Sequence, residues 1–180
     1  MALTFTAMMR VFHTGSKKLI AMEFEKLCDN LLSVKSSDTD CYEKLHQDFC
    51  TWFIQEIKTA EKRLKNGRVK ASQPASYGHA AKTLDIAMKV YVYYCGQPTL
   101  EVANHLTPML HCAVDTPIME LLKAKFPNAH VTSSTIEQVD KGCYIVLQKL
   151  VSKDIAESFA NNIIPVQYDD IMWNRLNRNG

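Results

Sequence analysis

Apolar residues along this chain recur at intervals of three and four, the period of an amphipathic helix. The clearest block runs from Ser76 to Cys95, SYGHAAKTLDIAMKVYVYYC. Ala80, Leu84, Ala87, Met88 and Tyr91 line one face, while Lys82, Asp85 and Lys89 stand three and four apart and project from one side as helix ion pairs. Ser76 is placed to cap the first turn, and Gly96 is a natural stop just past the end. The segment finishes in VYVYY, apolar nearly all round, so it must be buried on several sides. This spacing predicts a central helix over about 76–95.

The same period organises the rest. Ile20, Phe24, Leu27, Leu31 and Leu32 predict a helix between Leu19 and Leu32. A longer one opens at Asp38 with the stripe Tyr42, Leu45, Phe49, Trp52, Phe53, Ile57, Ala60 and Leu64, and stops at the turn pair Asn66-Gly67. Thr99 to Leu110 is helical in pattern, with Pro108 disturbing its end. Asp115-Thr116-Pro117 starts a short helix, with proline at a position where its missing N–H costs nothing. Residues 130–134 suit a short extended stretch, and Thr135-x-x-Gln138 reads as a capping box for a helix bearing Tyr144, Leu147 and Leu150. Pro165 separates one more helical stretch from a terminal one carrying Ile171, Met172, Trp173 and Leu176. The fold class expected is all-α, a single domain over residues 1–180 with about seven helices around the central one. The polar stretch 67–75 marks a sub-boundary between an N-terminal helical hairpin and a C-terminal helical core.

Composition narrows the class. Hydrophobic residues at 47% and charged residues at 22% exclude wholesale disorder. The formal charge of +2 points to no partner by itself, but its distribution does. Lys58, Lys62, Arg63, Lys65, Arg68 and Lys70 form a basic run offset only by Glu56 and Glu61. Such a run is either a solvated helix end or a set of phosphate contacts. The six cysteines include no CxxC pair, which suits free thiols in a reducing, cytoplasmic compartment. No run of apolar residues is long enough to cross a membrane. Residues 1–18 carry no acid and read as a packing arm or, less simply, a presequence. His79, His105, His111 and His130 show no metal-ligand spacing, so neither metal nor cofactor is expected.

Two segments resemble a known family. Tyr77-Gly78-His79-Ala80-Ala81-Lys82-Thr83 and Ala113-Val114-Asp115-Thr116-Pro117-Ile118 are similar to the Lys-Thr and Val-Asp-Thr segments of helix-hairpin-helix base-excision DNA glycosylases. The likeness covers about 45 residues. Gly78 stands alone where the hairpin has two glycines, and Pro117 stands where a histidine follows. The SYGxAxK…D arrangement also resembles bacterial and phage helical proteins of no assigned activity. The glycosylase resemblance implies a catalytic Lys82 attacking a sugar C1′, with Asp115 activating it or stabilising oxocarbenium charge. It implies a pocket for an extruded base, for which Tyr77, His79, Tyr91 and Trp173 are the candidates, while the basic run offers DNA contacts through Lys62, Arg63, Lys65, Arg68 and Lys70. Two further readings stay open: a helical interaction or homo-oligomerisation module, in which Lys82 and Asp115 only pair and cap, and a small-ligand binder beside the central helix.

Overall fold

The computed structural model describes residues 8–34, 39–63 and 66–178. It is all-α. Among the described residues, seven α-helices and one two-stranded hairpin follow in the order α1 (Ser16–Leu31), α2 (Thr39–Glu56), β1 (Lys62–Arg63), β2 (Val69–Lys70), α3 (Tyr77–Met88), α4 (Leu100–Leu106), α5 (Thr116–Lys125), α6 (Lys141–Phe159) and α7 (Pro165–Arg178). No helix among the described residues is long and apolar enough to cross a membrane. None of the six cysteines is in a disulfide.

The central position of α3 follows from its side chains. Ten of its twelve residues are buried, and the two that are not are Lys82 and Ala87. Small residues make this possible. Gly78, Ala80 and Ala81 let α2 and the segment 136–139 approach closely, and Gly78 N–H donates to the Val139 carbonyl at 2.9 Å. Ser76 caps the helix as expected. Its Oγ accepts from the His79 N–H at 3.2 Å and donates to the Ile136 carbonyl at 2.9 Å, while Ser76 N–H donates to His79 Nδ1 at 3.3 Å. The α-helix does not run on to residue 95. Lys89–Tyr94 is a π-helical turn, and the chain then reverses through Gly96 at φ 64°. Within this turn Val92 is buried but Tyr94 is exposed, so the VYVYY run is covered on fewer sides than its composition implies.

The long helix is shorter than its stripe. α2 ends at Glu56 rather than at Asn66, because residues 57–60 exchange helical hydrogen bonds for tertiary ones. His13 donates to the Lys58 carbonyl, Ala60 to Val11, Thr59 to Gln73 and Ala75 to Ile57, each at 2.7–2.9 Å. Ile57 is fully buried at this crossing. The basic run is therefore an antiparallel hairpin turning at Asn66-Gly67, with Lys62 opposite Lys70 and Arg63 opposite Val69. Met8 and Phe12 pack into the core, Phe12 edge-on to Phe53 with ring centroids 5.2 Å apart. That is the packing arm; residues 1–7 lie outside the described residues.

Three further boundaries differ. α4 gives way at Thr107–Met109 to a 3₁₀ turn containing Pro108. No strand forms at 130–134. Thr135 precedes only a 3₁₀ turn, Ile136–Gln138, and it is Asp140 that caps α6 by accepting from Cys143 N–H at 2.7 Å.

Candidate functional site

The two residues singled out on the glycosylase resemblance come together. Lys82 is one of the two residues of α3 that are not buried, and Asp115 is the N-cap of α5, its Oδ1 accepting from Ile118 N–H at 3.1 Å. Lys82 Nζ stands 3.8 Å from Asp115 Oδ2. Both open onto a cleft of about 460 Å³ with Ile86, Ala113 and Ile118 as apolar lining and Trp173 and Asn174 of α7 across it. The extended segment that carries Asp115 is held by Gln148 of α6, which donates to the Cys112 carbonyl at 2.8 Å and accepts from its N–H at 3.1 Å.

Lys89 lines the same cleft deeper down, and its surroundings are different. It is buried, with Nζ 2.7 Å from both carboxylate oxygens of Asp169 and 2.7 Å from Asp170 Oδ1. Two carboxylates share one ammonium. Burial pushes the Asp169 carboxyl up to about 6, against the pull of Lys89, and the neighbouring Asp170 charge adds to the rise. Because the folded value lies above the ordinary 3.8, the folded chain holds more protons than the unfolded one between about pH 4 and 6, so this residue's stabilisation is lost as pH rises through that window. Melting curves across it should show wild type losing stability relative to Asp169→Asn as pH increases; parallel curves would refute the assignment.

The expected ion pairs along α3 do not form. Asp85 turns inward, where its Oδ1 meets His46 Nε2 at 2.9 Å and its Oδ2 accepts from the Tyr144 hydroxyl at 2.9 Å. The Tyr144 oxygen is also 2.8 Å from His111 Nδ1 and 3.3 Å from His46 Nε2, and His111 Nε2 meets Glu43 Oε1 at 2.7 Å. The His111 contact and charge lower the Glu43 carboxyl, while burial and the Asp85 charge raise the Tyr144 phenol well above its usual range. One donor atom each from His46, Asp85 and His111 lies within 4.8 Å of the other two. This polar group joins α2, α3, α6 and the 110–115 segment beneath the cleft.

The remaining candidate residues are dispersed. Trp173 lines the cleft, half-exposed. Tyr77 is buried against Tyr144 with ring centroids 5.6 Å apart, His79 serves the α3 cap, and Tyr91 packs edge-on to Phe24 of α1. None of these three lines the cleft. Lys62, Arg63 and Arg68 are exposed on the hairpin, Lys70 is paired with Glu137, and Lys65 lies outside the described residues. Periodicity alone does not single out His46, Glu43 or Tyr144. The available signal is that His46 stands on the apolar stripe of α2, four residues after Tyr42 and three before Phe49, where a polar side chain must find buried partners. No protein-family model, curated protein or solved structure matches this chain.

Proposed function

We propose that the cleft is the active site of a nucleic-acid-directed enzyme of the glycosylase–lyase type, with Lys82 as the amine nucleophile and Asp115 as its carboxylate partner. The observation that carries this reading is their convergence, from 33 residues apart in sequence, to 3.8 Å at one open cleft. In the reaction, the neutral Lys82 amine attacks C1′ of a damaged nucleotide and the C1′–N bond breaks. The base leaves with the bonding pair and takes up a proton. The amine then loses one of its two protons, the C1′–O4′ bond breaks with the ring oxygen taking up a proton, and an iminium that keeps the other N–H is left between Lys82 and C1′. Asp115 and its neighbours Asp169 and Asp170 stabilise the cationic sugar on the way. The cleft walls supply three carboxylates against two ammonium groups. They suit a developing cation better than a phosphate, so the phosphate contacts fall to Lys62, Arg63 and Arg68 on the hairpin.

Borohydride reduction should trap the wild-type chain on DNA carrying abasic or damaged sites. Lys82→Ala should abolish trapping, and Asp115→Asn should retain the fold and DNA binding while losing turnover, because the amide oxygen still caps α5. Binding should fall steeply with salt and fall further on charge reversal at Arg63 and Arg68. Absence of trapping across a broad lesion panel would overturn the enzyme reading. The same acidic lining favours a second one, a binder of small cationic ligands, which predicts ligand-dependent protection of Trp173 without any adduct.

A further inference from the structure

The group beneath the cleft poses a problem of protons and charge. Four contacts, His46–Asp85, Tyr144–Asp85, Tyr144–His111 and His111–Glu43, each need one hydrogen. A neutral His46, a neutral His111 and the Tyr144 hydroxyl supply three between them when both carboxylates are ionised. Asp85 is 2% exposed, and its hydrogen-bond partners, His46 and Tyr144, are not fixed cations. A buried carboxylate so placed demands positive charge nearby. Either an additional proton resides in the group, or a cation does.

We propose that His46, Asp85 and His111, with the Tyr144 hydroxyl as fourth donor, bind a divalent first-row transition metal, zinc being the best match. Three donor atoms within 4.8 Å of one another lie no more than about 2.8 Å from a common centre, so contractions of well under 1 Å bring them to the ~2.0–2.2 Å of zinc–nitrogen and zinc–oxygen bonds. The Tyr144 oxygen, at 2.8–3.3 Å from an atom of each of the three, is spaced as ligands around a tetrahedral zinc are, roughly 3.3 Å apart. Two imidazoles with oxygen donors favour zinc, and they disfavour magnesium, which prefers an all-oxygen shell.

The surrounding residues carry the proposal furthest. A ligating histidine ordinarily donates its second N–H to a carboxylate or similar acceptor. His111 offers Nδ1 to the centre while its Nε2 donates to Glu43 at 2.7 Å. His46 offers Nε2 to the centre while its Nδ1 faces the Cys50 sulfur at 3.8 Å, a weak acceptor. Binding would set the metal's charge against Asp85 and Glu43 and leave the outer nitrogens of His111 and His46 to Glu43 and Cys50. Among the described residues, the Tyr42 hydroxyl beside His46 and His111 is a buried polar group with no hydrogen-bond partner, so the hydrogen bonding of this group is incomplete as it stands. The site ties α2, α3, α6 and the Asp115-bearing segment together, and it stands whether or not the cleft above it is catalytic.

The test is metal binding by the 180-residue chain after chelator stripping, with Zn²⁺ followed by melting temperature and Co²⁺ by its visible spectrum. One equivalent of Zn²⁺ should bind, raise the melting temperature and release at least one proton, and Mg²⁺ should do none of these. Co²⁺ should give the intense visible bands of a four-coordinate site without a near-ultraviolet thiolate band. His111→Gln should remove binding, and Glu43→Gln, at a partly exposed position of α2, should weaken it by roughly 10- to 100-fold. Failure to bind one equivalent, a thiolate spectrum, or an affinity unchanged in Glu43→Gln would each overturn the site.

Discussion

Lys89→Ala should destabilise the fold by roughly 3–5 kcal/mol, the effect of removing one partner from a buried ion pair. Lys89 is 4% exposed, and its ammonium is the shared partner of Asp169 and Asp170. Truncation leaves two carboxylates facing each other in a partly desolvated cleft. A double substitution supplies the internal check: adding Asp169→Asn to Lys89→Ala should restore part of the loss, because it removes one of the two stranded charges. Urea unfolding of the three variants measures both quantities. If the single and double variants were equally destabilised, packing of the lysine stem rather than its charge would be responsible. Lys82→Ala should by contrast cost about 1 kcal/mol or less, since the Lys82–Asp115 contact is long and partly solvated and Asp115 keeps its capping bond. That contrast would separate a structural role for Lys89 from the nucleophile role proposed for Lys82.

Gly78→Ala should destabilise the fold although it adds only one methyl group to α3. A Cβ at this position would meet the Val139 Cβ at 2.7 Å and the Ile136 carbonyl oxygen closer still. The obstacles are backbone and a β-branched side chain's root, neither of which can rotate away. Overpacking of this kind costs roughly 1–3 kcal/mol, and displacing the 136–139 segment would also stretch the Gly78 N–H bond to Val139 and the Ser76 bond to Ile136. Alanine is the better helix former by up to about 1 kcal/mol, so intrinsic propensity predicts the opposite sign. A melting temperature equal to or above that of wild type would show that the close approach at Gly78 is not required. The φ of this glycine is not at issue; the constraint is contact alone.

Much of the architecture is written in local patterns because its causes are local. The α3 cap at Ser76, the reversal at Gly96, the α5 start at Asp115-Thr116-Pro117 and the α7 start at Pro165 each depend on a few neighbouring atoms, and each is where the pattern puts it. The 3.6-residue period carries the all-α class for the same reason: it records which side chains leave water, not what they meet. Where a segment's hydrogen bonds go to distant partners, the pattern misleads. Residues 57–60 continue the helical stripe of α2, yet they bond to 11–13 and 73–75, and nothing in their own sequence names those partners. Lys82, Asp85 and Lys89 share a helical spacing that suggests mutual pairing. Their partners instead are Asp115, His46 with Tyr144, and Asp169 with Asp170, brought from four other places in the chain. Lys82 and Asp115 were legible as candidates because each stands in a short recognisable segment; their 3.8 Å separation was not, since only the packing of α5 against the body of the fold fixes it. The His46–Asp85–Tyr144–His111–Glu43 group lies furthest from sequence. It draws its five polar residues from three helices and the 110–115 segment, and an isolated polar residue on an apolar stripe announces only that it needs a partner, while the partner's identity is decided by tertiary burial.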